Sequence, residues 1–115
     1  MDKRHTVKKS LDFSNIIHNC AYVKNRSYII YYNKDNGVGN YRFGISASKK
    51  LGNAVHRNKY KRQVRFIIDK YKKYYQNNYD YIIIIRNGYV GLDFKSNDEN
   101  FLYLIEKIND SIKEK

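Results

Sequence analysis

The sequence predicts an α+β protein with a single two-layer α/β sandwich, in which helices pack on one small sheet. Helical and strand patterns follow the order helix, two or three strands, long helix, strand, helix, and no internal repeat is visible. The chain has 115 residues, and the 42% that are hydrophobic are spread along its length. Both values suit one compact core. We therefore predict one domain over residues 1–115.

The first predicted element is a short amphipathic helix from Ser10 to about Asn19, with Ser10 in the role of N-cap. Its apolar residues recur at helical spacing and are Phe13, Ile16, Ile17 and Cys20. Because Cys20 belongs to this apolar set, packing is a better role for it than reactive chemistry.

Strands are predicted next, from β-branched and aromatic residues. Residues 28–32 and 41–47 have strand composition, and residues 33–40, with two glycines, form a loop between them. A further brief strand at 21–23 is weakly signalled. The region therefore contributes two or three strands.

The strongest helical pattern covers residues 55–75. Its apolar stripe consists of Tyr60, Val64, Ile67, Ile68, Tyr71 and Tyr75. Asn77 and Asn78 interrupt the pattern, and residues 79–86 then read as a buried strand. A helix between two strands predicts a crossover over the sheet.

The C-terminal region is predicted to be a loop followed by a helix. Residues 87–94 contain two glycines and read as the loop, whereas residues 96–99 (SNDE) have the form of a capping box. The core face of the final helix is formed by Phe101, Leu104, Ile105, Ile108 and Ile112.

The charge of the chain predicts an anionic partner. The net charge is +12, from 23 basic and 11 acidic residues, and residues 42–65 carry eight basic residues and no acid. Such an excess destabilises a compact monomer by self-repulsion unless an anion binds, so nucleic acid is the leading partner class. A membrane surface is the competing class, but it requires basic residues over an exposed apolar stripe. No apolar run approaches the roughly 20 residues that span a bilayer.

Other function classes find little support in the sequence. The basic N-terminus leads into no apolar segment or cleavage site, so we expect no secretory signal and a cytoplasmic protein. Neither zinc-ligand spacing, paired carboxylates nor a Cys–His nucleophile arrangement is visible. The histidines His5, His18 and His56 are isolated, and His56 beside Arg57 fits a bystander or a phosphate contact better than an acid–base group.

A basic ridge is predicted on the long helix. At about 100° per residue, Arg57, Lys61 and Arg65 form one line, and Asn58 and Arg62 lie beside it. A solvated helix face usually alternates in sign, since like charges four residues apart repel. Ligand binding therefore explains the ridge better than solvation does, and a phosphate backbone is the expected ligand.

The loop before the long helix extends this surface. Residues 52–54 (GNA) lead into the helix N-terminus, where free N–H groups and the helix dipole attract anions. Lys49 and Lys50 precede them and add positive charge.

The same segment resembles the signature of the bacterial ribonuclease P protein subunit. Residues 46–55 read SASKKLGNAV, and Arg57-Asn58, Lys61-Arg62 and Arg65 follow at the family's spacing. Further positions that look like family positions are Lys8-Lys9, Asp12-Phe13, Asn25-Arg26 and residues 42–46 (RFGIS). The element order agrees along nearly the whole chain.

The resemblance implies a subunit of an endonuclease that does not perform the chemistry itself. In that family a large RNA with bound Mg²⁺ cleaves precursor tRNA at the mature 5′ end, and the small protein binds this RNA and the 5′ leader. The implied fold is similar to a ribosomal protein domain 2-like fold, with a left-handed βαβ crossover. The usual rule for parallel strands would give a right-handed one.

The resemblance also implies roles for single residues. The side chains that would contact the catalytic RNA are Lys49, Lys50, Arg57, Asn58, Lys61, Arg62 and Arg65. Two alternatives stay open: helix capping or local hydrogen bonding for Asn58, and an ion pair with a C-terminal acid for Arg62.

The leader would lie between the first helix and the sheet, against Phe13, Ile17 and Tyr31. Ile17 stands where the family often has an aromatic residue, so base stacking there becomes apolar contact. Phe13 suits core packing and the cleft equally well. A ribosomal or general RNA-binding protein without a processing role is the alternative function.

Overall fold

The computed structural model describes residues 21–34, 37 and 39–113. The elements are β1 (Ala21–Lys24), β2 (Tyr28–Asn33), β3 (Arg42–Ala47), α1 (Ala54–Lys70), β4 (Asp80–Ile85), α2 (Asn87–Val90) and α3 (Phe94–Lys113), with 3-10 turns at Lys49–Leu51 and Lys72–Tyr74. The predicted α+β class is confirmed, and so are the strands and the two long helices predicted after the first helix, apart from their exact ends. The predicted N-terminal helix, with Phe13 and Ile17, lies outside the described residues.

The strands form one four-stranded sheet in the order β1-β2-β4-β3. The pairs β1–β2 and β2–β4 are antiparallel, whereas β3 and β4 are parallel and are joined through α1. A connection between parallel strands needs a crossover, which explains why the long helix lies between them in sequence. The weakly predicted strand at residues 21–23 is confirmed as β1, which lies at one edge of the sheet. The left hand of the crossover stays a prediction.

The core lies between one face of this sheet and the two long helices. Alternate strand residues such as Tyr28 and Ile30 in β2 and Tyr81 and Ile83 in β4 are almost fully buried there. From the helices the buried residues are Val64, Ile67, Ile68, Phe101, Leu104, Ile105 and Ile108. The predicted apolar stripes of both helices are thus confirmed, with Tyr60, Tyr71 and Ile112 half-buried at their margins.

The opposite face of the sheet has an apolar central row. One row across it contains Tyr22, Tyr31, Ile82 and Gly44, because Tyr22 pairs with Tyr31, Tyr31 with Ile82, and Gly44 with Ile82. Ile82 is fully buried and Tyr31 half-buried. We call this surface the second face of the sheet.

Helix α1 ends earlier than predicted. The expected helix over residues 55–75 ends at Lys70, and the chain continues through a 3-10 turn. Tyr75 is buried but not helical: its hydroxyl donates to the Ile68 carbonyl at 2.8 Å. The last carbonyls of a helix have no intrahelical partner. Tyr75, which continued the helical pattern in the sequence, therefore binds a carbonyl group near the end of the helix instead of extending it.

Two details of the C-terminal prediction are wrong. The predicted loop over residues 87–94 contains the one-turn helix α2, and the cap of α3 is Asp93 rather than Ser96. The Asp93 carboxylate accepts from the Ser96 backbone N–H at 2.8 Å. Hydrogen bonds from the Ser96 side chain and backbone lower the pKa of Asp93. Asn97 and Asp98, which belonged to the predicted capping box, are buried.

A buried polar network ties the β1–β2 turn to α3. The Ser27 hydroxyl donates to Asn97 Oδ1 at 2.7 Å, and the Tyr28 hydroxyl donates to the Asn97 carbonyl at 2.9 Å. The Asn97 amide in turn donates to the Tyr89 carbonyl at 3.0 Å. Since buried polar groups are costly when unpaired, the network holds the hairpin in one position relative to the helix layer.

Candidate nucleic-acid interface

The turn before α1 depends on a glycine and an asparagine. Gly52 has a φ of 131°, and a side chain there would meet the Cβ of His56 at 3.2 Å. Asn53 is the N-cap: its Oδ1 accepts from the His56 backbone N–H at 3.1 Å. The loop-to-helix prediction for residues 52–54 is therefore confirmed. The alternative capping role for Asn58 does not apply, because Asn58 lies inside α1.

Exposure of the predicted basic residues varies along α1. Arg57 and Lys61 are half-buried beside the apolar stripe, whereas Arg62 and Arg65 are exposed on the outer side, as is Asn58. The ridge therefore begins at the margin of the core and turns outward along the helix. This follows from helical geometry, since residues four apart drift by about 40° per step.

Arg57 has a polar atom without a partner. Its Nε is buried and makes no hydrogen bond to any described residue. Arg57 Nε is thus held at the helix margin by packing and not by a carboxylate. The Arg57 guanidinium keeps its positive charge, and no carboxylate among the described residues is paired with it.

The other basic residues of the surface are also unpaired within the described part of the chain. Arg62 forms no ion pair with α3 or with any other described residue, so the structural alternative for Arg62 finds no support there. The same holds for Lys61 and Arg65. Lys49 and Lys50 are exposed in the 3-10 turn that precedes Gly52. We define the basic surface as Lys49, Lys50, Arg57, Asn58, Lys61, Arg62 and Arg65.

One basic residue of the middle region does not belong to this surface. The Arg42 guanidinium donates from Nε to Asp80 Oδ1 at 2.8 Å and from Nη2 to Oδ2 at 2.7 Å. Its charge is therefore compensated inside the sheet. Sequence reasoning counted Arg42 with the basic field because Asp80 lies 38 residues away in the chain.

Tyr31, the predicted leader residue within the described chain, lies on the second face of the sheet. Its ring contacts that of Tyr22, with the centroids 5.4 Å apart and the rings tilted by 44°. Tyr22 is 52% exposed. The sequence analysis missed Tyr22, although the alternation of strand residues would place it on the same face as Tyr31 once the register was known. The remaining leader residues, Phe13 and Ile17, lie outside the described residues.

Many other tyrosines belong to the core. Burial raises the pKa of Tyr81 to about 12 and raises that of Tyr28, Tyr75 and Tyr89 as well. These hydroxyls stay neutral and are hydrogen-bonded: that of Tyr89 donates to Gln63 at 2.7 Å, and that of Tyr81 accepts from the Gln76 backbone N–H at 3.0 Å. Tyrosine abundance is thus mainly structural, and Tyr22 and Tyr31 are distinguished by their place on the second face.

Among the described residues, no three His, Cys, Asp or Glu side chains lie close enough together to hold a metal ion. His56 is exposed in the first turn of α1. The interface therefore offers cations, an amide and aromatic rings, which are groups that bind nucleic acid.

Comparison with known proteins identifies the family. The family model for ribonuclease P matches residues 1–109. The chain is 41% identical over 106 residues to the ribonuclease P protein component of Mesoplasma florum, covering 91% of this chain and 96% of that protein. The chain belongs to the ribonuclease P protein family.

Solved structures of ribonuclease P proteins have the same fold. The RNase P protein of Staphylococcus aureus superposes with a TM-score of 0.83 at 31% identity, covering 90% of this chain and 94% of that one. The RNase P protein of Thermotoga maritima gives a TM-score of 0.80 at 28% identity, with coverage of 89% and 96%. The expected family and the mixed α+β fold are thereby confirmed. No helix among the described residues is long and apolar enough to cross a membrane.

Proposed function

We propose that this ribonuclease P protein binds the catalytic RNA of ribonuclease P through its basic surface. The observation that carries the proposal is that the Lys and Arg side chains of this surface form no ion pair in the described part of the chain. Like charges four residues apart on one helix repel, and a phosphate backbone removes this repulsion. Asn58 would add neutral hydrogen bonds to phosphate, sugar or metal-bound water.

The chemistry would belong to the RNA. In the proposed assembly, the RNA with Mg²⁺ hydrolyses the precursor tRNA, and the ion supplies charge stabilisation at the scissile phosphate. The described residues contain no cluster that fits a metal ion, so Mg²⁺ would be coordinated chiefly by the RNA. The chain would hold the RNA and the substrate, and it would act in the cytoplasm, where precursor tRNA is processed.

The 5′ leader of precursor tRNA would bind on the second face of the sheet. Tyr31 is half-buried there beside the exposed Tyr22 ring, and a single-stranded nucleotide can stack on such a surface whatever its base. Phe13 and Ile17 would complete this site. Leader contact would increase affinity for precursor over mature tRNA.

Reconstitution tests the proposal. The chain is mixed with a bacterial ribonuclease P RNA and precursor tRNA, and cleavage is measured as Mg²⁺ is varied in dilute salt. We expect the chain to lower the Mg²⁺ concentration required, and a variant with both Arg62→Ala and Arg65→Ala to lose most of this effect. Unchanged cleavage with the wild-type chain would contradict the proposal. Equal affinity for this RNA and for an unrelated structured RNA would favour a general RNA-binding protein.

A further inference from the structure

Two exposed phenylalanine rings meet between α1 and α3, on the outer side of the molecule. The Phe66 and Phe94 ring centroids are 6.0 Å apart and the rings are tilted by 52°. Phe66 is 62% exposed and Phe94 39% exposed. Large aromatic side chains in contact usually lie in a core, so an exposed pair is a candidate for binding.

The packing of α1 against α3 rests on other contacts. Lys70 Nζ donates to Asp98 Oδ2 at 2.9 Å, and the Tyr71 ring stacks on the buried Phe101 with centroids 6.3 Å apart. These contacts lie on the core side of the phenylalanine pair or one turn beyond it. The packing of α1 against α3 therefore includes contacts that involve neither Phe66 nor Phe94.

The charges around the pair favour an anion. Arg62 lies one helical turn before Phe66, and Lys95 follows Phe94; both are exposed and form no ion pair within the described chain. Of the acids near the pair in sequence, Asp98 is paired with Lys70 and Asp93 caps α3, and Asp69 also has an interaction of its own. A second copy of a chain with a net charge of +12 would bring like charges together here, whereas RNA combines phosphates with flat bases.

We propose that the Phe66–Phe94 pair is a stacking site for one unpaired base of the bound RNA, adjacent to the basic surface. The inference rests on the proposed RNA binding and adds a contact outside that surface and outside the leader site. Residues four apart on a helix lie about 5 to 6 Å apart, which is within the reach of a single nucleotide. The phosphate would contact Arg62, and the base would lie on the Phe66 ring.

The absence of tryptophan from the chain allows a direct optical test. In the variant Phe66→Trp, the only indole lies at the proposed site, and stacking on a base quenches its fluorescence. The matched control is Tyr103→Trp, because Tyr103 is 60% exposed and lies on α3, nine residues after Phe94 and thus about 180° around the helix. We expect ribonuclease P RNA to quench the indole at position 66 and to leave that at position 103 nearly unchanged.

Affinity supplies the second readout. Phe66→Leu should weaken RNA binding by about fivefold or more, since stacking of one base is worth about that much, while Phe66→Tyr should bind as the wild type does. The slope of affinity against salt should be the same for all three proteins, because no phosphate contact is removed. Circular dichroism of each variant checks that the fold is retained.

The outcomes separate this inference from the function on which it rests. If the RNA binds the wild type but leaves the indole at position 66 unquenched, and Phe66→Leu binds normally, the stacking site is overturned and RNA binding stands. If the wild type binds no ribonuclease P RNA, both are overturned. A change in the indole signal that depends on protein concentration without RNA would assign the pair to self-association and also overturn the inference.

Discussion

Arg42 and Asp80 lie directly opposite each other on the parallel strands β3 and β4, where the guanidinium donates two hydrogen bonds to the carboxylate. The Asp80 side chain is only 3% exposed. The pair removes one positive charge from the basic region of the sequence and joins the two strands that α1 connects. The cations available to a ligand are therefore those after β3.

Asp80→Asn should lower the free energy of unfolding by about 3 kcal/mol, because it leaves Arg42 in a largely buried position without its counter-charge. Urea unfolding at neutral pH measures this. Asp110→Asn is the control, since Asp110 is exposed and its loss should change stability by less than about 0.5 kcal/mol. Equal stability of the two variants would show that the ion pair contributes little.

Arg62→Ala should weaken binding to ribonuclease P RNA and make its salt dependence shallower. Each lost phosphate contact reduces the slope of log affinity against log salt by about 0.9 or less. The measurement is a salt titration by fluorescence anisotropy with labelled RNA. Lys107→Ala, which removes a charge next to Tyr103 on α3, should leave the slope unchanged. If the slope for Arg62→Ala equals that of the wild type, Arg62 does not contact a phosphate of the RNA.

Tyr31→Ala should reduce affinity for precursor tRNA by about fivefold or more and affinity for mature tRNA much less, because only the precursor carries a leader to stack. Tyr31→Phe keeps the ring and should bind both as the wild type does. Affinities of the reconstituted holoenzyme for the two RNAs test this. If Tyr31→Ala reduces affinity for precursor and for mature tRNA equally, Tyr31 does not act through contact with the leader.

Gly88→Ala should destabilise the fold by about 2 kcal/mol, because a Cβ at this position would lie 2.3 Å from the Arg26 backbone oxygen. Gly91→Ala is the matched control, since its nearest neighbour would be 4.0 Å away. Thermal unfolding of both variants measures the difference. If the two glycine variants have the same melting temperature, the chain can relax the close approach of α2 to the β1–β2 turn.

The Asp93 cap should make stability depend on pH in the acid range. The hydrogen bond from Ser96 lowers the pKa of Asp93 in the folded state, so its contribution is present above the ordinary aspartate range near pH 4 and is lost as pH falls through the lower folded value. Asp93→Asn keeps an accepting oxygen at the N-cap but cannot titrate. Below about pH 4, the wild type should therefore lose stability more steeply than the variant, as measured by urea unfolding. Parallel pH profiles would contradict this.

Local pattern accounted for most of the fold. The apolar stripe of α1 and that of α3 were read from 3.6-residue spacing, and the residues predicted to be buried there are buried or half-buried. Errors fell at element ends: Tyr75 continued the helical pattern but lies beyond Lys70, and the capping residues of α3 were set three positions late. Ends depend on which side chains satisfy free backbone groups, and these partners are chosen by packing.

The candidate site was only partly predictable for the same reason. The sequence located the basic surface, since helical spacing alone lines up Arg57, Lys61 and Arg65. It could not show that Arg57 is half-buried with an unpaired Nε, or that Arg62 forms no ion pair with a described residue. Those facts depend on how α1 packs in the folded chain.

By itself, the sequence determined the element order, the excess of positive charge and the signature that indicates the family, because each is expressed in residues close together in the chain. The tertiary structure decided which side chains meet across long separations. It pairs Arg42 with Asp80, sets Tyr22 beside Tyr31 and brings Phe66 to Phe94. Strand register and helix packing select these partners, and both are set by burial of the whole core rather than by any local preference.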